Sequence, residues 1–134
     1  MAFNLEYTSI PGLTAGADLS SSQFLVGKLS STAGQVIIAG TLNSTTNPGA
    51  FVGVIMNKPA SGEEIEFAVD GVVKAIAGTS TIAVGDRVWA NSTGKLIDAG
   101  VTDNGFFLGR ALEAAGAVSD IITVKLAGNG GSRY

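Results

Sequence analysis

The chain contains no cysteine and no histidine. Without thiols there is no disulfide framework, no zinc–thiolate cluster and no thiol nucleophile. Without imidazole it lacks the commonest general base near neutral pH and the commonest transition-metal ligand. These two absences remove most hydrolase mechanisms. Charge is also sparse: 14% of residues are charged and the formal net charge is −3, with a pI near 4.7. The cations Lys28, Lys58, Lys74, Arg87, Lys95, Arg110, Lys125 and Arg133 stand singly in the sequence. A nucleic-acid footprint needs clustered cations, so no DNA or RNA partner is expected. No apolar run approaches the roughly 18 residues of a membrane helix, so no membrane partner is expected either. The opening MAFNLEYTSIPG lacks the basic and apolar regions of a secretory signal, and the expectation is a soluble chain made in the cytoplasm.

What is present points to a single β-domain. A chain of 134 residues is about one domain long and can bury roughly two-thirds of its unfolded surface. Nineteen glycines punctuate short runs rich in Val, Ile, Phe and Leu. Candidate strands are QFLVGKL (23–29), QVIIAGTL (35–42), FVGVIM (51–56), EIEFAV (64–69), VVKAI (72–76), DRVWA (86–90), KLIDA (95–99), FFLGRALEA (106–114) and DIITVKLA (120–127). Short β-branched runs bounded by Gly, Asn, Asp and Ser predict an all-β fold, a single compact β-barrel or sandwich. NSTG (91–94) and TDNG (102–105) read as turns between strands. Residues 1–22 are expected to form an extended N-terminal arm, 23–127 the β-domain, and the Gly-rich 128–134 a flexible tail. In the arm, Phe3, Leu5 and Tyr7 alternate with Asn4 and Glu6. Such a segment pairs either within the domain or by strand addition to a partner.

The stretch GEEIEFAVDG puts four carboxylates into ten residues. On a strand, Glu64, Glu66, Ala68 and Asp70 share one face, and Ile65, Phe67 and Val69 the other. That is the pattern of a half-buried strand with a wet acidic face. The spacing of about 7 Å between neighbouring acids resembles that of glycosidase carboxylates. A glycosidase also needs aromatic subsites, and the chain has one Trp and two Tyr. Asp86, Asp98 and Asp103 sit at or beside turns, without the D-x-D-x-D-G spacing of a calcium loop. No phosphate loop and no S-x-x-K pair occurs. No catalytic residue, cofactor or metal is assigned. Trp89 shares a strand face with Arg87 and is read as either core or interface.

Three ordered segments carry a resemblance: GEEIEFAVDGVVKAIAG (62–78), IAVGDRVWANSTGKLIDAG (82–100) and NGFFLGRALEAAGAVSDIITVKLAG (104–128). Their matching pieces are the G-E-E…F…G-V-V strand pair, the G-D-x-V-aromatic step at Gly85–Trp89 and the T-G-K-L turn. L-G-x-A-L-E-A-A and the closing D-x-x-T-V-x-L at Asp120–Leu126 complete the set. Together they resemble the small capsid cement, or head decoration, proteins of tailed bacteriophages. Residues 16–56 match more loosely, with a longer stretch before Ala60 than the family often has.

The resemblance implies a non-enzymatic virion protein on the outer capsid surface. It would bind the major capsid protein as a homotrimer and stabilise the shell against internal DNA pressure. On this reading Phe3, Leu5, Tyr7 and Ile10 are candidate capsid contacts, and Glu64, Glu66, Arg87 and Trp89 candidate subunit-interface residues. The alternative is a phage tail or fibre accessory module that binds carbohydrate, which would need an exposed aromatic platform.

Overall fold

The computed structural model describes residues 5–39, 51–98, 106–127 and 132–133; the TDNG turn and Phe3 lie outside them. The described chain is all-β. Its strands are β1 (Tyr7–Ser9), β2 (Thr14–Ala15), β3 (Val26–Leu29), β4 (Gln35–Ile38), β5 (Val52–Ile55) and β6 (Phe67–Ile76). They continue with β7 (Arg87–Ala90), β8 (Leu96–Asp98), β9 (Phe106–Phe107), β10 (Gly109–Ala111), β11 (Ile121–Leu126) and β12 (Ser132–Arg133). The main sheet runs β2-β4-β3-β5-β6-β11-β10-β7-β8, β1 pairs with β6 beside this path, and β9 pairs with β12 as a separate ribbon.

Of the two architectures anticipated, the sandwich-like one is found, because among the described residues the end strands β2 and β8 do not pair and no barrel closes. The sheet instead curls over its own core. Val26 N–H donates to Gly94 O at 2.8 Å and Gly78 N–H to Leu96 O at 2.6 Å, bringing the β8 end against β3 and the end of β6. Inside the curl lies the main apolar cluster, with Val26, Val54, Val73, Val88, Leu96, Ile122 and Val124 among its members. These are the inward residues of the period-2 pattern. A second cluster of Ala15, Leu19, Val36, Ile55, Ile65 and Phe67 fills the space between β5, the start of β6 and residues 13–19.

The second cluster changes the reading of the acidic stretch. Ile65 and Phe67 are buried as the alternation requires, but Ala68, on the predicted wet face, is fully buried too. Both faces of β5 and of the start of β6 are covered, so all four β5 residues are buried; a strand packed on both sides loses its alternation. The two predicted strands 64–69 and 72–76 are one ten-residue strand, β6. Gly71 carries the chain through the join at φ +99°. The long 106–114 strand is divided into β9 and β10. At the β7–β8 connection, Asn91 Oδ1 accepts the N–H groups of Thr93 at 2.9 Å and Lys95 at 3.1 Å, the Asx-type turn expected from NSTG.

Candidate functional site

The four acids of residues 63–70 occupy four different environments. Glu63 Oε1 accepts the Ala60 N–H at 2.7 Å and closes the turn before it. Glu64 is exposed, and its carboxylate has no hydrogen bond or ion pair among the described residues. Its backbone is nevertheless held. Asn57 Nδ2 donates to Glu64 O at 3.1 Å and Asn57 Oδ1 accepts the Glu66 N–H at 2.9 Å, so one amide staples both sides of Ile65. Glu66, half-buried, accepts a hydrogen bond from the Tyr7 hydroxyl. Asp70 accepts the Gly71 N–H at 2.8 Å and pairs with Lys125 at 3.3 Å; these two contacts, in that order, hold its carboxyl below the usual carboxylate range.

The Tyr7–Glu66 bond ties the N-terminal segment to the sheet. The bond to Glu66, then partial burial, then the carboxylate's charge raise the Tyr7 phenol from 10 to about 12. The sign follows directly. A raised folded pKa means that the contribution to stability is complete below the unfolded value near 10 and is lost as pH climbs through 12. A phenolate absorbance titration should therefore show a late step near pH 12, about two units above an ordinary phenol. Glu66→Gln should bring Tyr7 back toward 10, and Tyr7→Phe should remove the late step and the stability loss that accompanies it. A wild-type titration without that late step would contradict the bond.

A second network sits on the outer face of β11. The buried Thr123 gives both its hydroxyl and, at 3.0 Å, its backbone N–H to Glu113 Oε1, and Lys74 approaches the same oxygen at 3.7 Å. The Thr123 hydroxyl is the main cause that lowers the Glu113 carboxyl, against a smaller opposing effect of burial. These are structural bonds: each donor and acceptor serves the packing of β6, β10 and β11.

Beside them lies an arrangement that sequence spacing gave no sign of. Arg110 on β10 stands directly opposite Arg87 on β7 and directly opposite Lys125 on β11. Direct cross-strand partners project from the same face about 5 Å apart, so three cations form one row across three strands. Arg110 and Lys125 are exposed and Arg87 is half-buried. Arg110 Nη1 donates to Gly85 O at 3.0 Å. A depression of about 240 Å³ lined by Gly109, Arg110, Lys125, Leu126 and Ala127 opens beside the row. Trp89, two residues beyond Arg87, is half-buried, and its Nε1 is buried with no acceptor among the described residues.

The predicted site residues thus fall into two regions. Tyr7, Glu64 and Glu66 gather near the start of β6, with Ile10 N–H donating to Phe67 O at 3.2 Å. Arg87 and Trp89 lie on β7, separated from β6 by β11 and β10. No group of three or more acidic side chains that could hold a metal ion occurs among the described residues. Large apolar side chains stand out into solvent at Val84 (68% exposed), Val118 (60%) and Ile121 (51%), positions that a binding partner could cover.

Glu63, Glu66, Asp70 and Glu113 are thus engaged in turns and strand ties of a small all-β domain. Residues 21–126 match the family model of the phage cement protein, and the chain belongs to that family. No curated protein matches it. Membership of the family gives the protein a structural role associated with the phage capsid.

Proposed function

We propose that the protein binds the outer surface of a phage head as trimers, bridges neighbouring major capsid proteins and stabilises the shell against internal DNA pressure. The observation that carries this reading is the family match over residues 21–126. The physical logic is linkage: a ligand that binds the assembled shell and not its separated subunits shifts the equilibrium toward the shell. Each contact of ordinary size buries about 1,600 Å², and the contacts repeat over the lattice. No bond is made or broken, in keeping with a chain that has neither His nor Cys.

In this reading the N-terminal segment faces the capsid through Phe3, Leu5, Tyr7 and Ile10. Leu5 is a large apolar side chain 39% exposed, and β1 beside it pairs with β6. Glu64, Glu66, Arg87 and Trp89 serve contacts between copies. A ring of identical subunits is built from two different patches on each, and these four residues do lie in two separated regions.

The test is co-sedimentation of the purified protein with undecorated heads of the virus that encodes it, followed by heating. Saturable binding in multiples of three copies per capsomer junction, with a raised rupture temperature, is the expected result. Heads that take up no protein and rupture at an unchanged temperature would overturn the proposal.

A further inference from the structure

The pairing of Arg110 with Lys125 is an electrostatic liability for an isolated chain. Like charges directly opposite one another on adjacent strands destabilise the pair, and these two cations stand in that relation. Lys125 is partly compensated by Asp70 at 3.3 Å. Arg110 has no carboxylate partner among the described residues, its guanidinium being held by the Gly85 carbonyl. The depression beside Arg110 and Lys125 is lined by these two residues with Gly109, Leu126 and Ala127. Two exposed cations beside one depression suit a single carboxylate, its charged head between them.

The same chain carries a matching group. Glu64 is exposed, has no partner among the described residues, and stands on backbone fixed by the Asn57 amide. A charge presented on a rigid support loses little freedom on docking. It cannot reach the row of its own molecule. The row meets β6 at Val72, opposite Lys125, which is about 16 Å along the strand from Phe67, and Glu64 lies beyond Phe67.

We propose that copies of this protein associate head to tail, with Glu64 of one copy seated between Arg110 and Lys125 of the next. This rests on the self-associating shell component proposed above and names its contact. Because donor and receiver are different patches of one surface, the contact is heterologous and closes into a ring when its rotation permits. The partner of the cationic row is therefore a second copy of the chain, and an acidic segment of the shell is the competing occupant.

The experiment is a charge exchange, read by sedimentation of the free protein and, separately, by co-sedimentation with heads. Glu64→Lys and Arg110→Glu should each weaken self-association about tenfold or more. The double variant, which restores opposite charges across the contact, should return to within about threefold of the wild type. Added salt should weaken the wild-type association, since the contact is at the surface. Both side chains are exposed, and recovery in the double variant separates lost contact from lost fold. The proposal is overturned if either single variant associates like the wild type, if the double variant recovers nothing, or if the wild type stays monomeric at concentrations that saturate heads. Arg110→Glu that self-associates normally but no longer binds heads would assign the row to the shell, overturning the copy-to-copy contact while leaving capsid binding intact. Normal charge-exchange behaviour in a protein that ignores heads would support this contact and strike the capsid reading alone.

Discussion

Gly109→Ala is expected to lower the melting temperature by about 10 °C or more. A Cβ at this position would stand 2.1 Å from Lys125 O and 2.9 Å from Leu126 Cα, both backbone atoms of the neighbouring β11. A flexible side chain could turn aside, but backbone can give way only if β10 and β11 separate. That opens the ladder from Gly109–Leu126 to Ala111–Val124, and with it the roof over Val124 and Leu126 in the main core. Overpacking usually costs 1–3 kcal/mol, and a clash with backbone on the adjoining strand belongs at or above the top of that range. At roughly 3–5 °C per kcal/mol for a domain of this size, the shift is large. Gly85→Ala is the control: its Cβ would meet nothing within 4 Å, although φ is +90°. Only the conformational cost, about 1 kcal/mol, should appear there. Equal melting temperatures for the two variants, measured by circular dichroism, would show that the β10–β11 spacing relaxes freely and that the steric argument is wrong.

Gly71→Ala should act differently, releasing β1 while the rest of the sheet stays folded. Here the new Cβ would lie 2.2 Å from Glu6 O and 2.7 Å from Tyr7 Cα. Both atoms belong to the segment whose only strand partner among the described residues is β6. The cheaper relaxation is therefore for residues 6–9 to leave. The residual φ strain at +99° remains in β6 and lowers stability by about 1 kcal/mol. Three readouts should change together. The Tyr7 phenol should fall from about 12 toward its ordinary 10, amide exchange should rise at residues 7–9, and capsid affinity should drop if the N-terminal segment faces the shell as proposed. Tyr7 still titrating near 12 in Gly71→Ala would mean that β1 remains in place and that β6 has moved. With β1 released and affinity unchanged, the capsid contact would have to be sought elsewhere on the molecule.

Much of the fold was legible because its signals are local. The runs 35–42, 51–56, 86–90 and 120–127 contain β4, β5, β7 and β11; β-branched composition and flanking turn residues are enough to find them. The Asn91 turn was readable for the same reason, since an Asx turn is made by one side chain and the next few N–H groups. Local signals fail where a strand's surroundings override its own pattern. Alternation puts Ala68 on a wet face, yet it is fully buried, because residues 13–19 return to cover that side of the sheet. The strands divided at Asp70-Gly71 proved continuous, because a glycine able to adopt positive φ can also carry a strand past a close neighbour.

By itself, the sequence determined the class of protein: all-β, without thiol or imidazole chemistry, with an ordered set of motifs shared with phage cement proteins. Composition and short-range periodicity suffice for that, since each depends on neighbours in the chain. Only the tertiary structure decided which surfaces exist. Arg87, Arg110 and Lys125 are separated by 23 and 15 positions in the sequence, yet the β7–β10–β11 register sets them in one row. The same pairings leave Glu64 without a partner among the described residues and bond Tyr7 to Glu66. Register is fixed by long-range pairing and by which face each strand can bury, so a surface built across strands becomes visible only once the strands are placed side by side.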